Sequence, residues 1–381
     1  MRILIAGAGI AGAAAARALL ADGHDVTVLE RSPEPRVIGG AITLWPGGLL
    51  ILDELGADLT GLGQRITAVE TRTAAGRVVA TADVTHMEAR FGAGALVIPR
   101  GDLLTTLLDG VAPVHYGARV ATVEETGKEV RVTTEDGAAH TADLLIGADG
   151  VGSAVRAALW GPAPRPETGV ASWQGLIPSP VDLGSTALMI VGRDGYLGLS
   201  PAGNGLTQWF MDAPWPAPPG DPLALLEARY GHWAAPVPEL FTALRDADVR
   251  PYAHHRHHIA RIWGAGRSVL IGDAAHAMPP SLALGTNQAL EDIWVLRRAL
   301  RDDPRTALGL YSLRRRASAK RASRLARWSM SVSGPLTLMQ SETQMRMAAR
   351  GPKNAMTKMV AALHRGISER LKAGEPAEVR V

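Results

Sequence analysis

The sequence predicts an α/β protein: a domain built on a parallel sheet, an antiparallel sheet inserted into it, and a helical C-terminal region. Three observations predict it. A short apolar strand, a glycine-rich turn, a helix and a second strand follow one another by Leu29, the order of a right-handed parallel βαβ unit. Segments rich in alternating apolar residues, separated by Gly and Pro, fill the middle of the chain. From Asn287 onward the pattern is almost wholly helical, with breaks near Pro304, Gly334-Pro335 and Gly351-Pro352. The 381 residues suffice for one large or two ordinary domains, and 46% hydrophobic with 20% charged residues is a globular balance.

Each element has a local reason. Residues 3–6 form an apolar strand, and residues 10–21, rich in Ala and Leu, a helix that Gly23 is placed to end. DVTVL at 25–29 is β-branched and reads as the second strand. A helix covers 46–55 with Gly56 at its end, and Arg100 opens another through Leu108, with Asp102 in its first turn. Segments 118–123, 129–134 and 141–147 read as strands, the last two joined at Asp136-Gly137. Residues 170–178, 185–192, 195–200 and 206–212 read as the antiparallel sheet, with turns at 192–195 and 201–205. AGRSVLIGDAAH (265–276) returns the chain to the first domain as a buried strand and a polar turn. The expected division is 1–75 with 97–165 and 262–300 as a discontinuous first domain, 76–96 with 166–261 as the sheet domain, and 301–381 as the helical region.

Composition excludes several chemistries. The chain has no cysteine, hence no disulfide, no Cys-ligated zinc, no iron–sulfur cluster and no thiol nucleophile. A net charge of +3 gives no reason to expect nucleic acid as a partner. The opening MRILIAGAGIAGAAAA has the Arg, apolar run and small residues of a signal peptide. The strand–turn–helix reading of the same residues also accounts for the glycine spacing. No stretch approaches the ~20 apolar residues of a transmembrane helix, and a cytoplasmic location is expected.

Gly7-Ala8-Gly9-Ile10-Ala11-Gly12 is G-x-G-x-x-G between a strand and a helix, a Rossmann-like arrangement. The first Gly permits the tight turn, the second lets a pyrophosphate approach the backbone, and the third lets helix and strand pack closely. The helix N-terminus offers free N–H groups and a partial positive charge. Glu30, eighteen residues after Gly12, stands where a carboxylate accepts from a ribose 2′-OH. A second motif is DLLIGADG (143–150), followed by Ser153 and Arg156, and a third is GDAAH (272–276), followed by Pro279, Pro280, Gly285, Asn287, Glu291 and Asp292. Asp149 and Asp273 both close apolar strands, where an Asp also serves as an ordinary turn or helix cap.

With all three motifs in this order, together with ITLWPGGLLILDELG (42–56) and VIPRGDLL (97–104), the chain resembles the single-component FAD-dependent aromatic hydroxylases of the para-hydroxybenzoate hydroxylase type, from residue 1 to about 330. The resemblance implies a Rossmann-like FAD-binding domain with an inserted antiparallel-sheet substrate domain. It implies that Gly7, Gly9, Ile10, Ala11 and Gly12 hold the FAD pyrophosphate and Glu30 the adenosine ribose, with Arg31 and Val120 also at the cofactor and Arg100 near the ribityl chain. Asp149, supported by Arg156, is implied in FAD and nicotinamide binding and Asp273 in binding the ribityl side. Pro280, Gly285, Thr286 and Asn287 belong to the loop that passes the isoalloxazine ring. The implied activity is hydroxylation of an aromatic or polyketide-like small molecule. FAD is reduced by NADPH or NADH and reacts with O₂ to give a C4a-hydroperoxide, so no side chain is assigned as the catalyst. The alternative is a flavoprotein whose pocket has a non-oxygenating role, a cyclase or a structural-FAD protein.

The chain departs from this pattern at Ala283-Leu284, where the family commonly carries Gly-Gln; a Cβ there disfavours positive φ and implies a stiffer or differently shaped loop. Trp45, Tyr196, Trp209, Phe210, Met211 and Trp215 are read either as lining an aromatic substrate pocket or as core; Trp45, Trp173, Trp209, Met211 and Pro279 are the pocket candidates, since alternation puts 209 and 211 on one face. His254-His255-Arg256-His257-His258 looks like a metal tract, but adjacent histidines on a strand point to opposite faces, and no metal is expected. Trp173-Gln-Gly-Leu-Ile-Pro178 is loosely similar to a halogenase motif, yet the chain has no lysine before Lys128 to serve such chemistry. His276 is read as structural. Arg314, Arg315, Arg316, Lys320, Arg321, Arg324 and Arg327 form a basic stripe, read as a solvated face or as an anionic-surface contact.

Overall fold

The structure is a computed structural model that describes residues 1–330 except 38, 112, 163–166, 256–258 and 260–262, together with 357, 358 and 371. Strand Arg2–Ala6, helix Ile10–Ala21 and strand Asp25–Glu30 form the βαβ unit, in parallel register from Ile3 opposite Val26 to Ala6 opposite Leu29. They sit in a six-stranded sheet in the order 264–265, 268–270, 144–147, 2–6, 25–30, 114–116. The helix packs its Ala-rich face, buried at Ala13, Ala14, Ala15, Ala16 and Ala18, close against the rest of the domain core. Small side chains permit that close approach.

The expected strand at 141–147 is two strands. Ala139–Ala142 pairs in a three-stranded antiparallel sheet with 130–134 and 120–125, whereas Leu144–Gly147 enters the parallel sheet beside Arg2–Ala6. Asp143 is the corner: its carboxylate accepts from the Arg2 N–H at 2.9 Å and pairs with the Arg2 guanidinium. A polar, half-buried residue inside an apolar run is the physical reason for the break.

The second sheet has seven strands in the order 251–255, 167–178, 206–214, 195–203, 186–192, 68–73, 78–83. It is mixed rather than antiparallel throughout, because Ala68–Thr73 runs parallel to Thr186–Gly192. The hairpin 68–83 lies wholly in this sheet, so a domain division at 75/76 cuts through it. One face of the sheet carries Trp173, Leu188, Ile190, Leu197, Trp209 and Met211 and is packed by helices Pro222–Tyr230 and Val237–Leu244. Helices Gly285–Asp302 and Ala307–Met330 close the first domain. Among the described residues no helix is long and apolar enough to cross a membrane, and no group of three His, Asp or Glu side chains could hold a metal ion. His254 and His255 lie on strand Pro251–His255; the remainder of the His tract lies outside the described residues.

Candidate active site

A cleft of about 180 Å³ opens at the carboxyl ends of the parallel strands. Of the sequence-predicted residues, Gly7, Gly9, Glu30, Arg31, Arg100, Val120 and Asp149 line it, joined by Arg36 and Arg119, which the sequence reading missed for lack of any local signal. The three glycines differ in their surroundings. Gly7 has φ +103°, and a Cβ there would lie 2.5 Å from the Ala148 carbonyl oxygen. A Cβ on Gly12 would lie 1.8 Å from the Gly7 oxygen, which shows how closely helix and turn meet. At Gly9, by contrast, a Cβ would meet no protein atom within 4 Å. Gly9 caps helix Ile10–Ala21 without a side-chain hydrogen bond, and the first turn holds no acidic residue, so its amides are left for an anion.

The acidic residues around the cleft are partly committed to the protein. Glu30 accepts from the Ala8 N–H at 2.7 Å and from the Ser32 N–H at 2.9 Å. Asp149 accepts from the Ala154 and Val155 N–H groups with Oδ2, capping helix Ala154–Trp160, while its Oδ1 is buried without a partner among the described residues. The capping and ligand readings of this residue thus use different oxygens. Arg156 donates to the carbonyls of Ala274 and Val151, tying the Asp149 turn to the GDAAH turn. Burial lowers the Arg100 pKa, with Arg36 adding and Glu30 opposing.

Asp273 begins the short helix Asp273–His276. Its side chain is exposed to solvent. Desolvation pushes its carboxyl up; His276 opposes this and Asp292 adds to it. Gly272 packs against Ala11, bringing the GDAAH turn onto the start of the first helix; a Cβ on Gly272 would lie 3.0 Å from the Ala11 Cβ. His276 is structural: its Nε2 lies 2.5 Å from Asp292, both side chains fully buried. Arg315 completes that network, donating to Asp292 at 2.8 Å and pairing with Glu291. It therefore leaves the expected basic stripe, whose members Lys320, Arg321, Arg324 and Arg327 are exposed.

The loop 279–287 lies against strand Ala41–Leu44. Asn287 accepts from the Trp45 N–H at 2.9 Å and donates to the carbonyls of Thr43 and Ala283, so its amide is consumed in holding the loop to that strand. Pro279 is buried, Pro280 opens the turn Pro280–Leu282 and is exposed, and Gly285 and Thr286 start helix Gly285–Asp302 half-buried. Trp45 is half-buried, with its indole N–H 3.4 Å from the Leu282 oxygen. Ala283 adopts φ +50°, ψ +37°, so the loop keeps a left-handed corner despite the Cβ. That conformation costs an L-residue about 1–2 kcal/mol, part of which a glycine returns as unfolded-state entropy. Ala283→Gly is therefore expected to raise stability by about 0.5–1 kcal/mol, read as a higher urea midpoint at unchanged slope. A lower midpoint would contradict the left-handed corner.

Three pocket candidates are corrected. Trp173, Trp209 and Met211 do share a face, but it is the one covered by helices Pro222–Tyr230 and Val237–Leu244, and all three are core. The opposite face carries Gln208, whose amide oxygen accepts from the Ala41 N–H, so this face is turned to the loop side of the first domain. The signal was present in TQWFMD: the more apolar alternate set of a two-sided strand is the set that the helices bury.

Fold and cleft together define an FAD-binding α/β protein. The chain belongs to the family described as FAD binding domain, which matches residues 1–326, and so to the FAD-dependent monooxygenases and hydroxylases. It is 36% identical over 310 residues to 3-amino-4-hydroxybenzoate 2-monooxygenase of Streptomyces cremeus, covering 78% of this chain and 77% of that one. It is 34% identical over 316 residues to aurachin C monooxygenase/isomerase of Stigmatella aurantiaca, covering 79% and 80%. Klebsiella pneumoniae HpxO, solved in complex with FAD and uric acid, superimposes with a TM-score of 0.88 at 27% identity over 96% of this chain and 97% of that one.

Proposed function

We propose that the protein is an NAD(P)H-driven, FAD-dependent monooxygenase that hydroxylates an aromatic or polyketide-like small molecule. The observation that carries this reading is the cleft in which the N-terminal glycine turn, Glu30 and Asp149 converge, with unused helix amides and open space at Gly9. Bound FAD would supply the redox chemistry, accepting electrons from a nicotinamide and activating O₂. Gly9 and the amides of helix Ile10–Ala21 would hold the pyrophosphate, Glu30 the ribose, and Arg31, Arg100 and Val120 would flank the cofactor. Asp273 would hold the ribityl side, and the backbone of 280–287 would hold the ring. The remaining task of the protein is to orient the substrate and exclude water.

Asp273→Ala tests this assignment: the purified variant is expected to lose bound flavin, or to bind it about 10- to 100-fold more weakly, the worth of a hydrogen bond to a charged group. Normal flavin retention would count against it. Anaerobic titration of the wild-type flavin with NADPH and with NADH, with and without phenols and polyketide aromatics, tests the reductant. A non-oxygenating role is the second reading, motivated by Ala283-Leu284 beside the loop. Product mass separates the two, since hydroxylation adds one oxygen and a rearrangement adds none.

A further inference from the structure

Four polar side chains converge on the loop-facing side of the seven-stranded sheet, apart from the cofactor cleft. Asp212 stands opposite Ser172 in register and shares its face with Phe210 and Gln208, two and four residues back along the strand. Ser172 Oγ donates to Asp212 Oδ1, and Tyr196 donates to Oδ2 at 2.5 Å. His254, from the edge strand, places Nε2 2.8 Å from Ser172 Oγ. All four residues are buried, His254 to 6% exposure, and its Nδ1 has no partner among the described residues. A buried polar atom left unpaired calls for an explanation.

Proton counting fixes what that atom is. Burial pushes the Asp212 carboxyl up, while the hydroxyls of Ser172 and Tyr196 favour its charged form; with Asp212 ionised, the Ser172 proton goes to it, Ser172 accepts from His254, and Nε2 carries the hydrogen. Desolvation lowers the His254 pKa despite Asp212, which keeps the ring neutral. In a neutral ring with hydrogen on Nε2, Nδ1 is a bare acceptor. Between this atom and Gln208, Phe210 lies across Gly198, where a Cβ would meet the ring at 2.2 Å, and packs edge-on to Tyr196 with ring centres 5.9 Å apart. Four strand residues separate Gln208 from Asp212, about 13 Å. Gln208, Phe210 and Asp212 thus run in line along this face, from the contact with the first domain at Ala41 to the buried pair Ser172 and His254.

Building on the hydroxylase reading, we propose that His254 Nδ1 is a specificity determinant: it accepts a hydrogen bond from an O–H or N–H of a substrate larger than one ring, at the end away from the reacting carbon. Phe210 supplies the surface over which the intervening ring lies, and Ser172, Asp212 and Tyr196 are positioning residues that fix the imidazole.

The test uses FAD-loaded enzyme and two probes of similar shape, 2-naphthol and 2-fluoronaphthalene, of which only the first has a donor. Binding is read from flavin absorbance perturbation and tryptophan quenching, without turnover. The wild type is expected to prefer 2-naphthol by about tenfold or more. His254→Phe is expected to abolish the preference, and His254→Asn, which can return an acceptor near Nδ1, to keep part of it. An equal ratio in wild type and His254→Phe, or no binding of either probe at millimolar concentration, overturns the proposal. Flavin retention is measured in every sample. A protein that holds no FAD defeats the hydroxylase reading, whereas FAD-loaded protein without donor preference defeats only the role of His254.

Discussion

Gly9→Ala is expected to leave the melting temperature of the apoprotein within about 1 °C of wild type and to weaken FAD binding about 10- to 100-fold. The added Cβ meets no protein atom within 4 Å, and φ −72°, ψ −179° suits alanine, so nothing in the unliganded chain opposes it. Its only cost arises if a ligand needs that space. Gly12→Ala is the contrast. There the Cβ would lie 1.8 Å from the Gly7 oxygen, a backbone atom that cannot swing away, and the apoprotein itself is expected to lose about 1–3 kcal/mol or more. Differential scanning fluorimetry of the apoproteins and fluorescence titration with FAD check both. Unchanged FAD affinity in Gly9→Ala would remove the pyrophosphate from this turn.

Asp292→Asn carries the largest expected loss of stability, about 3–5 kcal/mol, the cost of breaking a buried ion pair on one side. Asp292 is fully buried and accepts from Arg315, from His276 and from the Gly272 N–H, so neutralising it leaves the buried Arg315 with Glu291 as its remaining carboxylate and loosens the turn that carries Asp273. Burial pushes the Asp292 carboxyl up, but His276 and Arg315 together outweigh it and hold the pKa below its ordinary 3.8. The sign for stability follows. A carboxyl with a lowered folded pKa stabilises fully above the unfolded value and loses that contribution as pH falls through the folded one. The gap in stability between wild type and Asp292→Asn is therefore greatest near neutral pH and narrows below about pH 4. Urea unfolding at a series of pH values measures it; a gap independent of pH would mean that the carboxylate charge is not what Asp292 contributes.

The two predictions differ in how far the sequence alone reached them. The roles of Gly7, Gly9 and Gly12 were legible because a tight turn, an open approach and a close packing contact are local demands, met within six consecutive residues. Arg315 was not: among Arg314, Arg316 and Lys320 it is one more basic residue, and only the packing of helix Ala307–Met330 on Gly285–Asp302 turns it inward to Asp292. Ala283 was legible as an anomaly but not in its outcome. The left-handed corner survives because Asn287 and the turn Pro280–Leu282 hold the loop from both sides.

What the sequence determined by itself is what periodicity and short-range sterics encode: the βαβ start, the central strands of the second sheet, and the three motifs placed at strand ends. What the tertiary structure decided is which face of an element is inside. Alternation places Trp209 with Met211, and Gln208 with Phe210 and Asp212, but assigns neither set to the core. That choice falls to helices Pro222–Tyr230 and Val237–Leu244, which cover the more apolar side and leave the other facing the first domain. The same holds at Asp143, where one run of sequence divides between two sheets because its carboxylate finds Arg2, a residue 141 positions away. Contacts between segments so distant in the chain leave no periodic trace in either one, and they exist only once the sheets have assembled.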